Sequence, residues 1–204
     1  MNIPFSLTYT DLGETLTGLV SVVKRLGPVD ASRALLFATT EHLSAIRRGE
    51  GCYPEEGKRR MWLKLSFLKH VYEYTRQRDA GRAIRHFDSI IRGPAMDFIG
   101  QFVPPSSDLT KDVVLHQIWP GLVRKDYNVV AEVCPANGDS ASLRVSRCFI
   151  NEVVRDIGLT HLGDRICHGD FIFWENYHPN VRFSRTKTLL RGDECCDHTL
   201  TWTE

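Results

Sequence analysis

Through most of the first 125 residues, apolar positions recur three and four apart, the period of a helix. The stretch DASRALLFATTEHLSAIRRGEG, residues 30–51, places Ala34, Leu35, Ala38, Leu43 and Ile46 on one stripe. Asp30 reads as its N-cap, and Gly49 or Gly51 as its end. PEEGKRRMWLKLSFLKHVYEYTRQRD starts at Pro54, a good first-turn residue, with acids early and bases late. Its apolar face is Trp62, Leu65, Phe67, Leu68, Val71 and Tyr72. AGRAIRHFDSIIRG continues with Ile84, Phe87, Ile90 and Ile91, and is expected to stop at Gly93-Pro94. A short helix follows, then a break at Pro104-Pro105. DLTKDVVLHQIWPGLVRK predicts one more helix, bent or ended by Pro120.

The period then changes from helical to alternating. YNVVAEVCPA and SLRVSRCF are rich in β-branched residues and flank NGDS, a hairpin signal. CFINEVVRDIGLTHLGD returns to helical spacing and ends at Gly158. DFIFWENYHP fits strand or helix. VRFSRTKTLL and CCDHTLTW both alternate around Gly192-Asp193, which predicts a second hairpin. The expected fold class is α+β: a helical N-terminal half followed by an antiparallel sheet with helices. The expected division is a helical region at 1–125 and a cysteine-rich region at 126–204, together one compact unit.

Composition narrows the function classes. Basic residues number 26 and acidic residues 25, so the balance gives no reason to expect nucleic acid or a membrane surface as partner. The local basic run EEGKRRMWLKLSFLKH reads as a solvated helix face. No stretch approaches the roughly 18 uninterrupted apolar residues of a membrane helix, and the first residues lack the pattern of a signal peptide. A cytoplasmic protein acting on a small molecule is expected, and homo-oligomerisation stays open. In a reducing compartment the six cysteines read as free thiols, nucleophiles or ligands rather than disulfides.

Four of those cysteines, Cys148, Cys167, Cys195 and Cys196, crowd the C-terminal part, with His168, Asp170 and His198 close by in sequence. These residue types suit a metal ion, although no Cys-x-x-Cys pair exists. The same types suit a cysteine nucleophile with a carboxylate or imidazole partner, its thiol tuned by a nearby arginine. No cofactor is called for with certainty, and a metal held by Cys, His and Asp is left open. On a strand, Cys196, His198 and Leu200 share one face while Cys195, Asp197 and Thr199 share the other. Cys52 and Cys134 read as small buried hydrophobes, and Asp193 as a turn residue.

The order of these residues resembles the L-2-amino-thiazoline-4-carboxylate hydrolase family. That pattern is a cysteine opening a helix, a second cysteine followed closely by aspartate, then Arg-Thr, then Gly-x-x-x-Cys-Asp-Phe. Here it is met by Cys148, by Cys167 with Asp170, by Arg185-Thr186, and by Gly192 with Cys196-Asp197. His198 departs from it, standing where the family has an aromatic residue. The resemblance covers the last 60 to 80 residues, and it implies hydrolytic opening of a thiazoline ring to an N-carbamoyl amino acid. It implies catalytic roles for Cys148, Cys167, Asp170 and Cys196; His198 is a further catalytic candidate from its own chemistry, and Arg185, or less directly Arg144, is read as holding a substrate carboxylate. The same hairpin is similar to small ligand-binding domains related to vinyl reductases, which implies binding without turnover. A biosynthetic cyclase or isomerase on the same scaffold is a third reading. The chain lacks a glycine-rich nucleotide loop.

Overall fold

A computed structural model describes residues 9–100, 103–104, 109–125 and 129–204. Parts of the stretches read above for a leader (1–8), the Pro104-Pro105 break (Pro105) and the start of the first hairpin (127–128) lie outside the described residues. Four helices open the chain: α1 (Tyr9–Leu26), α2 (Pro28–Arg47), α3 (Glu56–Arg78) and α4 (Ala80–Gly100). A π-helical turn, Val113–Ile118, leads into α5 (Trp119–Lys125). Then come strands β1 (Val129–Asn137) and β2 (Ser140–Cys148), helices α6 (Phe149–Asp156), α7 (Gly163–Cys167) and α8 (Gly169–Tyr177), and strands β3 (Val181–Ser184) and β4 (Cys196–Trp202). The class is α+β, with the helices first and a four-stranded sheet after them.

The sheet has the order β1-β2-β4-β3, and every neighbouring pair is antiparallel. Both expected strand pairs form, but β3 ends at Ser184, so Gly192-Asp193 lies within a longer connection rather than forming the hairpin turn. The β1–β2 pair turns at 137–140, while 11 residues, 185–195, join β3 to β4 and carry a 3-10 turn at Leu189–Arg191. Leu143 lies opposite His198, and Val145 opposite Cys196. Ala141, Leu143, Val145, Val181, Phe183, Cys196 and Leu200 are buried, which defines the inner face. One cluster behind that face gathers Val114, Leu115, Trp119, Phe173 and Trp174 with the strand residues. Trp119 meets Trp174 edge-on, with ring centroids 5.5 Å apart. A second cluster unites the two halves of the chain: Trp62, Leu65, Tyr72 and Phe87 pack with Val153, Val154, Leu162 and Ile166.

Several details depart from the sequence expectation. Helix α2 starts at Pro28 with Gly27 as N-cap, so Asp30 lies in the first turn rather than capping it. Pro54 precedes α3 rather than opening it. Helix α4 runs straight through Pro94, which cannot donate a backbone hydrogen bond. Tertiary packing overrides the break: α1 lies so close that a Cβ on Gly93 would sit 2.8 Å from Thr17 Cγ2. The cost of Pro120 is met by widening the backbone, since Trp119 N–H bonds to the Val114 carbonyl in the π-helical turn just before it. Leu43 and Ile84, assigned above to apolar faces, are exposed; α2 packs through Ala34 and Ala38, as expected, and through Ala31 and Ala45. Cys52 and Cys134 are exposed, not buried. Both lie where the chain leaves the core, Cys52 in the α2–α3 connection and Cys134 on the edge strand β1.

Candidate active site

Cys148 ends β2 and is the N-cap of α6, so a strand fixes its backbone and a helix begins at its sulfur. Cys167 ends α7, and Asp170 lies in the first turn of α8. The α7–α8 corner can form because α8 starts against α4 with nothing between. A Cβ on Gly169 would lie 2.6 Å from the Ala95 Cβ. Burial pushes the Cys167 thiol well above its ordinary range. The charges of Cys148, Asp170 and Cys196 push the same way, and the Arg185 guanidinium pulls against them. Four expected site residues therefore lie within electrostatic reach of Cys167, which is a neutral thiol at physiological pH.

Arg185 follows β3 and is only 8% exposed. Its Nη1 donates to Asp170 Oδ2 at 3.3 Å, and its guanidinium lies 5.3 Å from the Phe171 ring centroid. Its other N–H groups have no acceptor among the described residues. A buried cation with donors to spare suits an anionic ligand.

The connection that carries Arg185 is pinned from β4. Asp197 Oδ1 accepts from the N–H groups of Thr186 at 2.8 Å and Lys187 at 2.5 Å, and Oδ2 accepts from the Thr186 hydroxyl at 2.5 Å. Partial burial would raise the Asp197 carboxyl; these hydrogen bonds outweigh it and hold the group below the usual carboxylate range. Thr188 N–H donates to Asp193 Oδ2 at 2.7 Å, and Gly192 closes the turn in the left-handed region at φ 92°. The Cys196 sulfur accepts from Leu189 N–H at 3.3 Å and stands 3.7 Å from Thr188 Oγ1. Cys196 is thereby committed to holding the turn.

His198 shares the inner face with Cys196 and Leu200. Its ring stands 5.4 Å from the Phe183 ring, at 64°. Burial, reinforced by Arg185 and opposed by Asp197, lowers its pKa to about 3. A histidine held so far below neutrality is a poor proton carrier at physiological pH. Its Nε2 is buried with no hydrogen-bond partner among the described residues.

Arg144 does not join this group. It points from the outer face of β2, half exposed, and meets Glu194 at 3.5 Å and the Cys195 thiol. Cys195 is buried but precedes the strand. His168 is exposed and stacks on Phe171, centroids 5.6 Å apart. No group of three or more His, Cys, Asp or Glu is arranged to hold a metal ion among the described residues. Sequence reading missed Thr188, Phe171 and Phe183. The Thr-x-Thr run before Gly192-Asp193 was the available signal for Thr188, because a threonine there can cap a turn. A cleft of about 500 Å³ is lined by Asp88, Arg92, Ala95, Asp164, His168 and Gly169 among others. It adjoins Cys167 and Asp170 without being lined by the thiols.

These features describe an α+β protein in which Cys167 lies within electrostatic reach of Cys148, Cys196 and a buried arginine. The model of one family, described as L-2-amino-thiazoline-4-carboxylic acid hydrolase, matches residues 73–200, and the chain belongs to that family. The match reaches from α3 into β4, well beyond the C-terminal stretch that carries the sequence pattern. No curated protein and no solved structure matches the chain. No helix among the described residues is long and apolar enough to cross a membrane.

Proposed function

We propose that the protein is a thiol-dependent hydrolase that opens the ring of a small 2-aminothiazoline-type carboxylate in the cytoplasm, without a nucleic-acid or membrane partner. Arg185 carries the reading: it is a buried guanidinium with unused donors beside the thiols, in a chain of this family. It takes the substrate carboxylate, with Asp170 holding its orientation. The cleft at the α7–α8 corner lies nearby: His168 on its rim stacks on Phe171, over which Arg185 lies.

The roles of the thiols follow from their settings. Cys196 serves the turn, and Cys167 is held neutral, which leaves Cys148 as the nucleophile at the start of α6. The Cys148 thiolate bonds to ring carbon C2, and the bond from C2 to the ring sulfur breaks, releasing that sulfur as a thiolate. Water then attacks the same carbon, guided by Asp170, and expels Cys148. One water proton goes to the freed sulfur and the other stays on the former ring nitrogen, giving an N-carbamoyl amino acid with a free thiol and returning Cys148 as its thiolate.

The test is to incubate the purified protein with L-2-aminothiazoline-4-carboxylate and follow thiol release and the carbamoyl product by mass spectrometry. Turnover is expected, with loss of activity in Cys148→Ala and a fall of at least about 10²-fold in Asp170→Asn. Tight binding without any turnover would replace this reading with that of a ligand-binding module.

A further inference from the structure

A buried nitrogen without a partner is expensive: leaving such a group unsatisfied costs about 1–3 kcal/mol. The His198 Nε2 is in that position, in a strand whose other polar groups are well matched. Asp197 satisfies three donors, and Thr199 pairs with Ser142 at 2.8 Å. The position also does not require histidine for packing. The ring meets Phe183 through its apolar surface, and a phenyl ring would make that contact with no polar atom to bury. A series of ring contacts runs from the cleft rim to the His198 ring, with centroids 5.6 Å apart for His168 and Phe171, 4.8 Å for Phe171 and Phe183, and 5.4 Å for Phe183 and His198. Arg185 lies over the same series at Phe171.

Resting on the reading of Arg185 as the carboxylate holder, we propose that His198 determines substrate specificity by hydrogen-bonding through Nε2 to a neutral amino group of the substrate. The site then selects a small flat molecule that carries an anionic group at one end and a neutral hydrogen-bonding group at the other. A neutral imidazole fits this role, because it keeps one lone pair and one N–H, and Arg185 opposes its protonation. His198 is a positioning residue here: it contacts the substrate away from the bond that breaks and moves no proton.

Calorimetric titration tests this with two probes, L-2-aminothiazoline-4-carboxylate and its analogue lacking the 2-amino group. The proteins are wild type, His198→Phe and His198→Gln. Glutamine sets its amide where Nε2 lies, whereas phenylalanine keeps only the ring. We expect His198→Phe to bind the amino compound at least about tenfold more weakly, to lose the preference over the analogue, and to melt at a higher temperature than wild type. His198→Gln should recover most of the affinity. Unchanged affinity in His198→Phe, or a folded His198→Gln as weak as His198→Phe, would overturn the proposal. Wild-type binding without turnover would remove the hydrolase reading and leave this inference to its own affinities. Absence of wild-type binding to either probe would overturn both.

Discussion

Asp197 is a heavily used carboxylate around the site. It faces away from the thiols yet fixes the chain that carries Arg185, through two backbone N–H groups and one hydroxyl. Alanine there leaves those donors to water, because the contacts lie near the surface. The expected cost is roughly 1–2 kcal/mol in urea unfolding, with a fall in kcat/KM of more than about tenfold as Arg185 loses its hold. His198 gives a second test through pH. Its folded pKa of about 3 lies below the ordinary 6.5, so the unfolded chain takes up a proton before the folded one does. Stability is therefore full above pH 6.5 and falls as pH drops from there toward 3, by up to about 1.4 kcal/mol per unit for this one group. His42 and His86 are shifted the same way, so the measurement is the difference between wild type and His198→Phe. Between pH 7 and pH 5 the variant should lose less stability. An equal loss would contradict the burial of this imidazole. The residue types at the site were legible in the sequence, and so was the face that Cys196 shares with His198, because alternation on a strand is a strong constraint. The commitment of Cys196 to a turn was not, since its partners are backbone N–H and a threonine whose position depends on an 11-residue connection.

At the scale of elements, the site depends on how closely α8 approaches α4. Gly169 permits it, and Ala95 is the residue it meets. A methyl group at 169 would contact the Ala95 Cβ at 2.6 Å, and neither atom is at the end of a flexible side chain. Gly169→Ala should therefore push α8 outward, cost about 1–3 kcal/mol, and lower activity by moving Asp170. Adding Ala95→Gly should restore part of both losses, which thermal melts and rates of the double variant would detect. Absence of any rescue would place the fault in the α8 backbone instead. The two strand pairs were readable from alternation. The path of α4 through Pro94 was not, because α1, far away in sequence, supplies the packing that holds it. The alanine seam of α2 was legible only in part: Ala34 and Ala38 fell on the expected stripe, but Ala31 and Ala45 carry little hydrophobic signal, and the more apolar Leu43 faces outward.

Across the whole molecule, the helical half and the sheet half meet at the site's flank rather than at a linker. Trp62 and Phe87 from the helices share a cluster with Val153 and Leu162 next to Cys148 and Cys167. Beside them Lys58 on α3 bridges Glu152 at 3.0 Å and Asp156 at 3.1 Å on α6. Arg147, next to Cys148, joins Glu152 at 2.5 Å and Glu55 at 3.0 Å. The start of α6 is thus held from both halves, which suits a nucleophile whose position must be fixed. The most direct measurement is peptide mapping by mass spectrometry of the Asp170→Asn protein, acid-quenched during reaction with L-2-aminothiazoline-4-carboxylate. Slow attack by water should let the covalent intermediate accumulate, so an adduct of the substrate's mass is predicted on the peptide containing Cys148. An adduct on Cys167 or Cys196, or full activity retained by Cys148→Ala, would contradict the account.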